Sequence, residues 1–228
     1  VDNVETEEDG SVKLTDSAKA GRLSFFLWNT TPDAELLDAA ASGALSTKHG
    51  LEWQIDRMMQ SPRLRQGVHA FFSDMLHLDD FSHLEKDNLI YPAFDPQATD
   101  DARDQLLLTI AYHLLDEDAD YRDLFKTRRT FMTGSLGRVY RSPVLQPNLW
   151  VLHEFSGRDA RSGIQSLAGF VALHSHPGRS SPTIRGKAVR ELLLCQTVPD
   201  PPPDVDFSLF NEPSSQQKPA RERLDIHN

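Results

Sequence analysis

The chain has 228 residues, 39% hydrophobic and 25% charged, with a formal net charge of -10. That length supports a sizeable core in one or two domains, and the acidity excludes a general nucleic-acid binder, which needs net positive potential. No apolar run approaches the roughly 20 residues of a membrane crossing, and the single cysteine, Cys195, excludes a disulfide framework, a Cys-x-x-Cys metal site and a self-contained Cys-x-x-Cys-His haem attachment.

Residues 1–9 carry five acids and no base, and residues 1–15 read as a polar tail. Asp16 to Trp28 places Leu23, Phe26 and Leu27 at helical spacing behind a capping Asp16 or Ser17. Thr31-Pro32 predicts a second helix, with a capping hydroxyl and proline at the first position, running through Leu36, Leu37 and Ala40 to Gly43. A third covers Thr47–Gln60. Ser61-Pro62 repeats the cap-proline device before a helix with Leu64, Val68, Phe71, Phe72, Met75 and Leu76 on its apolar face, and His69 and His77 eight residues apart on one side. Residues 79–97 read as a long connection. A helix over Thr99–Asp116 follows, then a short one over Asp118–Lys126 and a turn-rich stretch with Gly134 and Gly137.

Tyr121–Arg141 holds six bases (Arg122, Lys126, Arg128, Arg129, Arg138 and Arg141) against one acid, Asp123, and reads as a solvated face pairing with acids elsewhere. Beyond Tyr140, prolines and glycines predict loops and short extended pieces. Helical pattern returns over Ile184–Cys195, where Cys195 reads as a small buried hydrophobe. Pro199–Pro203 is a stiff extended spacer. The fold class is mostly α: an irregular helical bundle over 16–140, a loop-rich segment with one further helix over 141–198, and a Pro-rich spacer with the start of a further segment over 199–228. The polar start and the stop inside Arg221–His227 read as an interior fragment of a longer protein.

The most unusual segment runs from His174 to Gly186. Pro177 and Pro182 push His176 and Ser181 out of helix. His174 and His176 share a face if extended, the spacing of an imidazole pair on zinc, copper or iron, with His153 as the nearest third ligand. His176 also reads as an axial ligand to a haem on a flanking domain. The bland alternative is that both rings hydrogen-bond within the loop. Arg179, Arg185, Lys187 and Arg190 follow. If Thr183 opens the helix, Ser180, Ser181 and the first amides make an anion site for a haem propionate, a substrate carboxylate or a sulfate ester. Alternatively, Arg179 and Arg185 pin the loop to acids of the chain. His69, His77 and His113 read as partly buried structural residues. No Gly-x-Ser-x-Gly, His-Glu-x-x-His, phosphate-cradling loop or dinucleotide fingerprint is present.

Several motifs in order carry a family resemblance. Arg22-Leu-Ser-Phe-Phe-Leu-Trp28, Pro32-Asp33, Glu35-Leu36-Leu37, the Met58/Pro62 helix pair and Asp120-Tyr121-Arg122-Asp123-Leu124 before Thr130-Phe131 resemble the bacterial domain of unknown function DUF1592. His176-Pro177-Gly178-Arg179-Ser180-Ser181-Pro182, Arg185-Gly186-Lys187 and the spacer resemble its partner domain, DUF1588, and Arg221–Leu224 with His227 resemble the start of the segment after it. The resemblance implies a parent protein of planctomycete or myxobacterial type, exported to the periplasm or cell surface and carrying c-type haem near its ends. This chain departs from that picture in holding no Cys-x-x-Cys-His, so any haem c belongs to flanking regions. The first reading is therefore a helical electron-transfer module that supports or docks a haem-containing flanking domain or redox partner, with His176, Arg179 and Arg185 facing the cofactor. A metal-dependent enzyme built on His174 and His176 is the second. A cell-surface structural adaptor is the third.

Overall fold

Helices dominate, as the periodicities predict, and most of them begin on a side-chain cap. The computed structural model describes residues 3–6 and 10–200; residues 7–9, most of the proline spacer, Arg221–Leu224 and His227 lie outside the described residues. The chain forms two compact units that divide between Asp74 and Met75.

The first unit opens with a small antiparallel pair, β1 (Val4–Thr6) and β2 (Val12–Leu14), with Val4 opposite Leu14. Helix α1 (Asp16–Trp28) starts because Thr15 accepts the Ala18 N–H, and ends at Asn29 in the left-handed region, which asparagine tolerates. Helix α2 (Ala34–Ala41) starts later than Thr31-Pro32 predicts. Its cap is Asp33, whose carboxylate accepts the Leu36 N–H at 3.0 Å. Thr47 caps α3 (Lys48–Met59) and Gln60 closes it, matching the sequence. Ser61-Pro62 forms a turn in which Ser61 Oγ accepts from Arg63 N–H, so α4 (Leu64–Met75) begins only at Leu64.

Ala20, Trp28, Leu36, Leu45 and Met58 form the core of this unit. Trp28 donates Nε1–H to the Met58 carbonyl at 3.0 Å, and Arg57 and Arg63 stack over its ring. Phe72 is buried, but Phe71 faces outward at 58% exposure, one turn-position off the inward face that the spacing predicts. His77 is not on the helix with His69: α4 ends at Met75, and His77 takes a left-handed φ of 55°.

In the second unit a short 3₁₀ turn (Leu78–His83) and a loop lead to α5 (Pro96–Ala111), which carries the core. Asp95 caps it and Pro96 takes the first helical position, so proline starts this helix rather than extending the connection. A wide turn over Tyr112–Asp116 finishes α5, and His113 Nε2 pairs with the Asp120 carbonyl at 2.9 Å, the structural role its sequence context suggests. A 3₁₀ turn at Tyr121–Phe125 precedes β3 (Arg129–Met132), which pairs antiparallel with β4 (Val151–Glu154), Arg129 opposite Glu154.

Two helices here are invisible to periodicity. Helix α6 (Gly134–Tyr140) is capped by Thr133, and its Gly134 is a close approach rather than a break: a Cβ there would stand 2.5 Å from Pro147 Cβ. Helix α7 (Ala168–Leu173) is so closely packed that a Cβ on Gly169 would lie 2.5 Å from the Ala102 carbonyl of α5. Polar bonds tie these elements together. Gln105 donates to the Phe131 carbonyl at 2.7 Å and accepts from Tyr140 Oη at 2.6 Å, and that hydroxyl accepts from Ala168 N–H. Burial pushes the Tyr140 phenol up to about 12. Helix α8 (Pro182–Ala188) continues into a wide turn to Leu193. Beyond it, Cys195 is exposed at a φ of 52°, correcting the expectation of a buried thiol.

Candidate functional site

The His174–Gly186 loop is anchored inside the second unit. Lys86 reaches it from the loop before α5, donating to the Ser175 carbonyl (3.1 Å), Ser175 Oγ (3.0 Å) and the His176 carbonyl (3.2 Å). The Asp87 N–H donates to the Pro177 carbonyl at 3.1 Å. Partial burial lowers the Lys86 pKa, because the ammonium is held by neutral acceptors in a drier place than water. The sequence marks the loop as a presented element, but nothing in it marks Lys86.

His174 sits at the end of α7 with its ring edge-on to Phe170, centroids 4.6 Å apart. Its Nε2 is buried without a hydrogen-bond partner among the described residues. Burial lowers its pKa, His77 adds to that effect, and Asp80 opposes it. His176 contributes its backbone carbonyl to the Lys86 anchor. The third sequence candidate, His153, lies on β4 opposite Thr130 with its ring against Phe155. Among the described residues no group of three or more His, Cys, Asp or Glu side chains is placed to hold a metal ion.

Ser181 and Pro182, rather than Thr183, open α8. The first helical residue therefore has no N–H, and the Ser181 hydroxyl is taken by the Ile184 N–H at 3.3 Å. That bond occupies the Ile184 N–H, one of the first-turn amides of the expected anion site, while the Ser181 O–H is not used by it. Arg179 lies half-buried in the loop. The expected fork from Arg185 to an acid is not formed: among the described residues its guanidinium has no ion pair or hydrogen bond.

Beside the loop lies a cleft of about 370 Å³. The segment Ile90–Phe94 forms one wall, the end of α6 with Arg138, Val139 and Arg141 another, and α7 with Ser175 and Ser180 a third. Lys86 and Arg161 complete a lining that holds four cations and no carboxylate. Arg161 donates to the Ser166 carbonyl at 2.9 Å and stacks 4.7 Å over the Tyr140 ring. The basic run behaves largely as its composition predicts. Arg122 pairs with Asp120, Lys126 with Asp123, Arg129 with Glu117 and Glu154, and Arg138 with Asp95. Arg141 is different: it ends α6 at a φ of 55°, and among the described residues its guanidinium has no partner.

A family model described as a protein of unknown function, DUF1592 (short name PSD4), matches residues 14–141. The chain belongs to the DUF1592 family. Residues 161–228 match a second model of unknown function, DUF1588 (short name PSCyt3), in the order the motifs predict, and the short names suggest cytochrome-c-associated domains. No curated protein and no solved structure matches the chain. The cleft draws on both matched segments of this DUF1592 protein: Lys86, Arg138 and Arg141 come from the first, and Arg161, Ser175 and Ser180 from the second. The division between compact units falls inside the DUF1592 match. Among the described residues no helix is long and apolar enough to cross a membrane.

Proposed function

We propose that this chain is the helical module of an exported cytochrome-c-like protein, and that its DUF1588-matching part docks a haem-containing flanking domain or redox partner. The observation that carries the reading is the basic surface of α8 and its continuation. Arg185 is unpaired among the described residues, Lys187 makes only a long 3.8 Å pair with Glu191, and Arg190 bonds only neutral Gln196. On a chain of net charge -10, three cations within six residues, left largely uncompensated, make this segment locally positive, with Lys187 and Arg190 three apart on one side of it and Arg185 on another. Haem propionates and the acidic rim of a redox partner are the anions such a segment recognises. With Cys195 the sole cysteine, covalent haem attachment has to come from residues outside this chain.

The test starts from the parent reading frame, which is expected to encode Cys-x-x-Cys-His on one side of these residues. That haem domain, produced separately, should bind the chain with an affinity that falls with salt. Arg185→Glu with Lys187→Glu should weaken binding about tenfold or more. A parent without a haem motif, or an affinity unmoved by the double reversal, overturns the reading.

A further inference from the structure

The cleft beside the His174–Gly186 loop is separate chemistry from the α8 surface. Its volume of about 370 Å³ falls within the roughly 300–1,000 Å³ of small-molecule sites. Ile90, Tyr91, Phe94, Val139 and Val171 give it apolar walls, and its four cations face those walls without a carboxylate among the lining residues.

What each cation already holds decides what the cleft can take. Arg138 is neutralised by Asp95 at 2.9 Å. Lys86 and Arg161 are held by carbonyl and hydroxyl oxygens, which fix their positions and leave their charge uncancelled. Asp159 senses Arg161 only through space, without an ion pair. Arg141 holds nothing among the described residues. Three positive charges are therefore uncompensated beside low-dielectric walls, where they act more strongly than in water. A guanidinium also presents a planar fork that matches a carboxylate.

We infer that this cleft binds a small organic acid, with a carboxylate head on an apolar body of aromatic size. Arg141 takes the carboxylate, Lys86 and Arg161 supply the supporting field, and Tyr91, Phe94 and Val171 pack the body. An inorganic anion lacks the body and a neutral aromatic lacks the head. Because Arg161 and Ser180 belong to the DUF1588 match and Arg141 to the DUF1592 match, the site requires both segments.

The test is a fluorescence titration of the 228-residue chain with 2-naphthoate, compared with 2-naphthalenemethanol, acetate and inorganic phosphate. Saturable one-to-one binding of naphthoate is expected, at least about tenfold tighter than either half-probe. Arg141→Gln should weaken it about tenfold or more, with an unchanged melting temperature because the side chain supports nothing in the fold, and Arg141→Lys should restore part of the loss. No saturation below about 10 mM, equal binding of the alcohol, an unaffected Arg141→Gln variant, or displacement by equimolar phosphate would each overturn the inference. None of these outcomes bears on the α8 docking surface, which this experiment leaves untouched.

Discussion

Two arginines, one in each compact unit, show how differently this chain uses positive charge. Arg57 in the first unit has each of its three guanidinium nitrogens engaged. It forks onto Asp33 at 2.7 and 3.0 Å, donates to Gln54, and lies 5.5 Å over the Trp28 ring. Asp33 in turn caps α2, so one carboxylate fixes a helix start and a cation together. Arg141 in the second unit ends α6 in a strained left-handed conformation, and among the described residues its guanidinium bonds to nothing. Lys86 lies between these extremes, fixed in place by neutral oxygens. Charge that a fold consumes stabilises it, whereas charge held in place but uncancelled is available to a ligand.

Arg57→Met should break the comparison most visibly. The variant loses the fork and the ring contact and leaves Asp33 without its cation, at an expected cost of about 2 kcal/mol in urea denaturation. The Arg57 hydrogen bonds hold the Asp33 carboxyl below the ordinary carboxylate range. Wild-type stability from this pair is therefore present above about pH 4 and lost as pH falls through the lowered value. Arg57→Met should lose less than wild type over that acid window. An equal acid loss in both proteins would show that the pair is screened out.

How much of this was legible in the sequence follows from how local each signal is. Thr47 and Gln60 mark α3 because a cap acts within one turn, and Asp16–Trp28 matches the bounds of α1, although Thr15 caps it in place of the expected Asp16 or Ser17. Helix α7 is six residues containing Gly169, with Ala168, Gly169, Phe170 and Ala172 all buried, so it has no polar face to give a period. Helix α6 was hidden by Gly134, whose missing side chain is a tertiary requirement imposed by Pro147. The His174–Gly186 loop stood out for its prolines and histidines, yet its anchor, Lys86, is an ordinary lysine 89 residues from Ser175. Arg141 looked like the rest of its basic run. Only the fold separates the cation without a partner from the paired ones.

A smaller effect is expected for Lys86→Met. The loop loses its three-way anchor while the chain is relieved of a partly buried charge, for a net cost of about 1 kcal/mol and faster amide exchange over 174–178. The pH dependence has a definite sign. Burial lowers the Lys86 pKa, so in the window below the ordinary lysine value of about 10.4 the unfolded chain holds a proton that the folded chain has released. Stability from this group rises with pH through that window, and Lys86→Met should lose the rise. Parallel curves for the two proteins would place the Lys86 ammonium in full contact with water.

Replacing Arg141 with glycine should change stability least, and in the opposite direction. A non-glycine residue in the left-handed region costs about 1 kcal/mol, and glycine relieves it at the expense of extra freedom in the unfolded chain. Arg141→Gly should therefore gain about 0.5 kcal/mol, and Arg141→Gln should stay within about 0.5 kcal/mol of wild type. If both variants also lose naphthoate, the guanidinium is what the ligand uses, and arginine is retained for binding at a left-handed position where the fold would be better off with glycine. A clear destabilisation of Arg141→Gln would mean that the fold uses this arginine in the way it uses Arg57, and the distinction between the two would collapse.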